Sequence, residues 1–245
     1  MFIRTEGLVL RTTEYKDTDL ILTVLTRDRG RLTVKARAVR TARSRMKGGC
    51  QLLCYSEFTL FEKEGFLTVN EATVIESFEP LRRDLELLSL ASYFAQTAEV
   101  LSQADLPNPA LLSLVLNGLY ILCKDTRPQA LIKAAFELRL ACIAGYAPQL
   151  DGCMVCGRED ADRFLVSGGT LVCAACGGEG LRLPVSPAAL RAMRYVCTCD
   201  EKRIFSFSLE SAPLKEFADL AETYLVTQLE RGFSALDYYK SIQLI

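Results

Sequence analysis

The amino-acid sequence predicts an α+β protein. A small five-stranded β-barrel comes first, followed by an α-helical bundle domain with a cysteine-rich module embedded in it. Three observations lead there. Residues 2–79 carry short runs of β texture, helical periodicity takes over after Pro80, and residues 149–180 interrupt it with two Cys-x-x-Cys pairs. The expected division is therefore 1–79 for the barrel, 80–148 and 181–245 for the helical domain, and 149–180 for the module.

In the first region Phe2, Arg4, Glu6, Leu8 and Leu10 alternate with Ile3, Thr5, Gly7, Val9 and Arg11. Leu20–Thr26 is a compact apolar and β-branched run. Leu32, Val34, Ala36 and Ala38 alternate with Thr33, Lys35, Arg37 and Val39, the pattern of a half-buried strand. Leu52–Phe61 and Phe66–Ile75 follow, joined at Glu64-Gly65, while Asp28-Arg29-Gly30 makes a tight turn between the second and third runs. Five strands with hairpin connections and one long basic loop fit an OB-like barrel best. An SH3-like barrel is the alternative, and strand pattern alone does not separate the two.

Leu81–Ser102, Pro109–Lys124 and Gln129–Gly145 read as three helices. The first is apolar on two faces, as a helix inside a bundle is. Asn108 is placed to cap the second, Gly145 ends the third, and Pro148 prevents its resumption. Pro187–Val196 and Pro213–Arg231 read as two further helices, and Phe233–Ile245 as a tail or a docked strand. No apolar stretch reaches the 18 residues of a membrane span, and Met1–Arg11 lacks the features of a signal peptide, so a cytoplasmic protein is expected.

Ten cysteines and no histidine narrow the chemistry. Without histidine there is no Ser-His or Cys-His catalysis and no imidazole metal ligand. Cys153-x-x-Cys156 and Cys173-x-x-Cys176 have zinc-ribbon spacing. Two thiols three positions apart on a tight turn can face one tetrahedral ion at about 2.3 Å. Gly157 and Gly177 follow each pair, where the turn needs positive φ, and Gly168-Gly169 allows the hairpin between them. One structural Zn²⁺ is the expected cofactor, since four protein ligands leave no open position for catalysis. Arg158, Arg163 and Arg182 lie near enough in sequence to offset the net charge of four thiolates on a divalent ion. Cys50, Cys54, Cys123, Cys142, Cys197 and Cys199 carry no assigned role. No P-loop, Gly-x-Gly-x-x-Gly or paired-carboxylate motif occurs, and a non-enzymatic protein is expected.

Charge is unevenly spread. Arg27–Lys47 holds nine basic residues against Asp28 alone, a local +8, whereas the other 20 basic and 29 acidic residues leave −9. Such a concentration marks a polyanion-binding surface. The candidates are Arg31, Lys35, Arg37, Arg40, Arg43, Arg45 and Lys47, with Lys35 and Arg37 on one strand face. Tyr15, Tyr55 and Phe66 are candidate platforms for stacked bases.

Three segments resemble the RecO family. They are EYKDTDLILTVLT at 14–26 with Arg29-Gly30-Arg31-Leu32; Ala36-Arg37-Ala38-Val39-Arg40 with Ser44-Arg45; and Phe136-Glu137-Leu138-Arg139-Leu140 leading through Gly145–Leu150 to Cys153. The likeness runs from about residue 2 to 230, although the family's usual glycine is missing from Ala36–Val39. The resemblance implies a nucleoid-associated DNA repair and homologous recombination mediator. Such a protein binds single- and double-stranded DNA, anneals complementary strands, engages the acidic C-terminal tail of single-strand DNA-binding protein, and with RecR helps load RecA on strands that protein coats. An acidic tail with an apolar end needs a basic rim on a groove, for which Lys133 and Arg139 are the candidates. The alternative is an RNA-binding or transcription-associated zinc-ribbon protein.

Overall fold

The computed structural model describes residues 1–124, 127–177 and 179–243. Five strands close the N-terminal barrel: β1 (Phe2–Tyr15), β2 (Asp19–Thr26), β3 (Arg31–Ala36), β4 (Tyr55–Lys63) and β5 (Phe66–Glu76), in the order β1-β2-β3-β5-β4. β1 is long enough to serve two neighbours. Its first half pairs with β4 from Phe2↔Phe61 to Leu8↔Tyr55, and its second with β2 from Gly7↔Thr26 to Tyr15↔Asp19. A register shift between Val9 and Arg11 gives it the bend this requires. A short parallel pairing, Val34↔Leu67 and Lys35↔Thr68, closes the ring and leaves no free edge. This is an OB-like barrel, the leading expectation. Its interior holds Val9, Leu22, Val24, Leu32, Val34, Phe58, Leu60 and Val69, the inward parity of each strand.

Three strand boundaries differ from the sequence reading by three residues or more, and the first is the end of β1, which runs on past Arg11 to Tyr15. β3 stops at Ala36, because Ala38 adopts φ 50° and turns the chain out of the sheet. β4 starts at Tyr55, because Leu53, at φ 61°, lies in a turn whose N–H donates to Val9 O at 2.8 Å.

A 3₁₀ turn, Glu79–Arg83, precedes α1 (Leu85–Leu101), whose first turn is capped by Asp84 Oδ1 accepting from Leu87 N at 3.0 Å. α2 (Pro109–Lys124) is capped by Asn108, whose Oδ1 accepts from Leu111 N at 3.0 Å. The expected tail or docked strand at Phe233–Ile245 is instead a helix, α6 (Ser234–Ile242); Leu244 and Ile245 lie outside the described residues. Phe233, Leu236 and Tyr239 recur every third residue and are all buried, a helical stripe rather than a strand's alternation. The α6 start is capped from outside, by Gln96 Oε1 accepting from Ala235 N at 3.1 Å, and Phe233 meets Tyr93 edge-on at 5.5 Å.

α3 (Gln129–Ile143), α4 (Pro187–Thr198) and α5 (Ser211–Gln228) pack on one another, and a four-stranded sheet lies between α3 and α4 in sequence. Its strands are β6 (Gln149–Cys153), β7 (Arg163–Leu165), β8 (Thr170–Val172) and β9 (Arg182–Pro184), ordered β6-β8-β7-β9. Contacts group the chain into two compact units, residues 1–123 with 233–245, and 124–232. The three-part division drawn from composition follows changes of secondary structure instead: contacts count α1, α2 and α6 with the barrel, and α3–α5 with the cysteine module. No described helix is long and apolar enough to cross a membrane.

Candidate metal centre and nucleic-acid interface

Two tight turns bring four thiols together. The first follows β6, with Gly157 N donating to Cys153 O at 2.8 Å; the second follows β8, with Cys176 N donating to Cys173 O at 3.1 Å. Gly157 and Gly177 close these turns at φ 73° and 63°, as their positions predict. The antiparallel β7–β8 hairpin carries the second pair to the first, turning at Gly169, where φ is 61° and an added Cβ would strike the Tyr224 ring.

The Sγ atoms of Cys153, Cys156, Cys173 and Cys176 all lie within 4.8 Å of one another, and Cys156 and Cys173 are 3.8 Å apart. A tetrahedral ion with bonds of about 2.3 Å requires ligand separations of about 3.8 Å. The donor set and its spacing therefore fit a thiolate metal such as zinc. Backbone N–H groups favour the ionised form, beginning with Cys156 N–H on Cys153, whose thiol is drawn down to about 6. Hydrogen bonds to Cys173 and then to Cys156 push the Cys176 thiol up to about 12. Of the three arginines considered, Arg158 reaches a sulfur, with Nη2 at 3.5 Å from Cys173 Sγ; Arg163 pairs with Asp162 at 2.9 Å. The module is bolted to the helices by Tyr224, edge-on to Phe164 at 5.2 Å, and by Arg194 Nε donating to Leu150 O at 2.8 Å.

On the barrel, the seven candidate cations fall into two groups. Arg31 is half-buried, and its Nη1 donates to Glu99 O at 2.7 Å, at the end of α1. Lys35 pairs with Asp19 at 3.0 Å and lies 4.6 Å from the Tyr15 ring centroid. Arg40 pairs with Glu14 at 3.0 Å. Arg31 and Lys35 are committed to the fold, while Arg40 is exposed and holds a surface pair. Arg37, Arg43, Arg45 and Lys47 are exposed and form no ion pair among the described residues. Arg37 lies just beyond β3, where the chain has already left the sheet. The link back to the barrel is Asp19, whose Oδ1 accepts from Ala38 N at 2.8 Å while its Oδ2 holds Lys35. The Ala38 N–H first, then Lys35, hold the Asp19 carboxyl below the usual carboxylate value.

The aromatic candidates divide likewise. Tyr55 is spoken for, its Oη donating to Glu6 Oε2 at 2.7 Å. Phe66 is 77% exposed at the β4–β5 turn, and Tyr15 is 43% exposed beneath Lys35. The sequence reading missed a second exposed pair, Phe2 and Phe61, which face each other across β1 and β4 with ring centroids 5.2 Å apart. Strand parity could have found it: Phe2 alternates with the buried Ile3, and Phe61 with the buried Leu60.

Lys133 and Arg139, the candidates for a partner tail, need correction. Lys133 is buried in α3 and pairs with Glu137 at 2.9 Å and Glu222 at 2.7 Å. Arg139 Nη1 donates to Cys197 O at 3.1 Å, Nη2 donates to Cys199 O, and Nε is buried without a partner. Lys133 is packed inside its unit, whereas Arg139 is half-buried and held by carbonyls at the end of α4; both are committed to internal contacts. Helical periodicity could not show this, because a lysine and an arginine look alike on an exposed and an occupied face.

Comparison with known proteins follows the same architecture. Residues 1–78 match the profile for recombination protein O, N terminal, and residues 82–237 match that for recombination protein O, C terminal; the junction falls at the 3₁₀ turn. A DNA repair protein RecO of Acetivibrio thermocellus is 32% identical over 249 residues, covering 100% of this chain and 98% of its own. One from Bacillus subtilis is 30% identical over 225 residues (90% and 88%), and one from Alkaliphilus metalliredigens 29% over 246 (99% and 100%). By profile matches along both halves and by relatives spanning its whole length, this chain belongs to the RecO family.

Proposed function

We propose that this protein is a non-enzymatic recombination mediator that binds single- and double-stranded DNA through its barrel and anneals complementary strands. Membership of the RecO family supports the coarser statement, a role in DNA repair and recombination. The observation that carries the finer one is the free cationic loop. Arg37, Arg43, Arg45 and Lys47 are not neutralised within the fold, and they project from a barrel whose outer face exposes Phe2 and Phe66. Four exposed charges that release counterions bind a phosphate backbone without sequence preference, and exposed rings offer stacking surface to unpaired bases. Screening two backbones at once is what annealing requires. The four-cysteine module, read as one structural zinc, supports this role by holding its own fold.

Loading of RecA on coated strands, cooperation with RecR, and engagement of the acidic tail of single-strand DNA-binding protein extend the proposal on the family resemblance. The tail contact is not assigned to Lys133 or Arg139.

The test is strand annealing and single-strand binding by the triple variant Arg37→Ala, Arg43→Ala, Arg45→Ala. Loss of three phosphate contacts should lower the slope of log affinity against log salt by about 2. An unchanged affinity and slope would remove the loop from the interface. Annealing of strands coated by single-strand DNA-binding protein, with and without its tail, tests the partner. Tighter binding of a matched RNA strand with no annealing would favour the RNA-binding alternative.

A further inference from the structure

The last turn of α3 and the last turn of α4 bring together a second group of thiols that the function above does not use. Cys142 Sγ and Cys197 Sγ lie 3.7 Å apart. Cys199 Sγ is 3.7 Å from Arg139 Nη2, part of the guanidinium that donates to the carbonyls of Cys197 and Cys199 and whose Nε–H finds no acceptor among the described residues. Cys142 and Cys197 are both partly exposed, so a small solute can reach them. The three thiols do not have the four-ligand arrangement of the zinc module, and among the described residues the only group placed to hold a metal is the one there.

We propose that Cys142 and Cys197 form an oxidisable dithiol, a modification site at which a peroxide closes a reversible disulfide between α3 and α4. This goes beyond the DNA-binding role and does not depend on it.

The chemistry follows from the neighbours. The hydrogen bond with Cys197 and then the charge of Arg139 hold the Cys142 thiol below its ordinary value against the opposing effect of burial, whereas Cys197 is pushed well above it. Cys142 is thus the more readily ionised of the two and the attacking sulfur, and Cys197 the partner that keeps its proton. The Cys142 sulfur attacks one oxygen of the peroxide; the S–O bond forms, the O–O bond breaks, and hydroxide leaves to become water with a solvent proton. Cys142 is now a sulfenic acid. The Cys197 sulfur then attacks the Cys142 sulfur; the S–S bond forms, the S–O bond breaks, and the departing hydroxide takes the Cys197 proton as water. The dithiol loses two electrons and two protons, and one peroxide is reduced to two waters. Forming a bond of about 2.05 Å from a separation of 3.7 Å needs the two sulfurs to approach by about 1.7 Å, a side-chain movement at helix termini rather than a change of fold. In a reducing compartment such a bond is transient, as redox-sensing disulfides are.

Full-length zinc-loaded protein is treated with hydrogen peroxide at a few-fold excess, quenched by alkylation, digested without reductant and mapped by mass spectrometry, while a chromogenic chelator follows zinc release. The expected product is a Cys142–Cys197 cross-linked peptide, two hydrogens lighter than the sum of its parts. It should form before zinc is released, revert with dithiothreitol, and consume Cys142 at least about tenfold faster than Cys50, whose buried thiol is pushed up to about 12. In Cys197→Ser, dimedone should instead trap a sulfenic acid on Cys142. Cys142 still reduced when half the zinc is lost, Cys142 joined to Cys199, or Cys142 and Cys50 oxidised at equal rates would each overturn the proposal. The map of the unmodified sequence decides the matter even where the variant does not fold.

Discussion

Replacing Lys133 by Met tests whether this lysine belongs to the interior or to a binding surface. In the fold, burial works to lower its pKa, but attraction to Glu137 and Glu222 outweighs it and the ammonium is held above its ordinary value. A group with a raised pKa contributes its full stability below the unfolded value and loses it only as pH rises through the folded one, so Lys133 adds no slope between pH 5.5 and 7. Lys133→Met takes from Glu137, whose side chain is fully enclosed, the ammonium 2.9 Å from it; Glu222, at 21%, can turn to solvent. The cheapest escape for Glu137 is to take up a proton. From an unfolded value of about 4.3, this costs about 1.4 kcal/mol per pH unit, hence about 3.7 kcal/mol at pH 7 and about 1.6 kcal/mol at pH 5.5. The variant's Glu137 then has a raised pKa, so the sign is a deficit that grows with pH. Hydrogen exchange of α3 and α5 peptides reads it locally: protection should fall by about 10²-fold or more at pH 7 and by clearly less at pH 5.5. Adding Glu137→Gln should flatten the pH dependence. A loss within about 0.5 kcal/mol at both pH values, together with weaker binding of an acidic tail peptide, would refute the burial argument and return Lys133 to the surface.

Two other changes separate the metal module from the barrel. Cys173→Ala removes one of four thiolates, so bound zinc measured by mass spectrometry should fall below about a tenth of stoichiometric, and the thermal midpoint should fall with it. Single-strand affinity should stay within about twofold; its loss in a variant that keeps fold and zinc would contradict function in the barrel. Ala38→Gly should stabilise, because Ala38 holds φ 50° at the exit from β3. Relief of about 1–2 kcal/mol of left-handed strain, less about 0.4–1 kcal/mol of added unfolded-state entropy, leaves about 0–1.6 kcal/mol, or a rise of up to about 6 °C in the thermal midpoint. A lower midpoint would show that the side chain, not the backbone, decides that position.

Ala38 also shows how far the sequence could be read. The missing family glycine was visible as a departure in Ala36–Val39, and the structure turns it into a residue at positive φ whose N–H is held by Asp19. The cysteine spacing was legible for the same reason as the strands. A Cys-x-x-Cys turn, its following glycine and the alternation of Leu32, Thr33 and Val34 each depend on residues a few positions apart. α6 was not legible, because its cap is the side chain of Gln96, 139 residues from Ala235.

By itself, then, the sequence determined the five strands, the main helices, the four cysteines that come together and the concentration of positive charge. Only the tertiary structure decided which charges remain free. Arg31 is taken by a carbonyl 68 residues away and Lys133 by a carboxylate 89 residues away, whereas Arg37, Arg43, Arg45 and Lys47 meet no such partner among the described residues. A charge is written in one residue, but its availability is set by whatever the fold brings within about 4 Å of it, and short-range pattern carries no record of that.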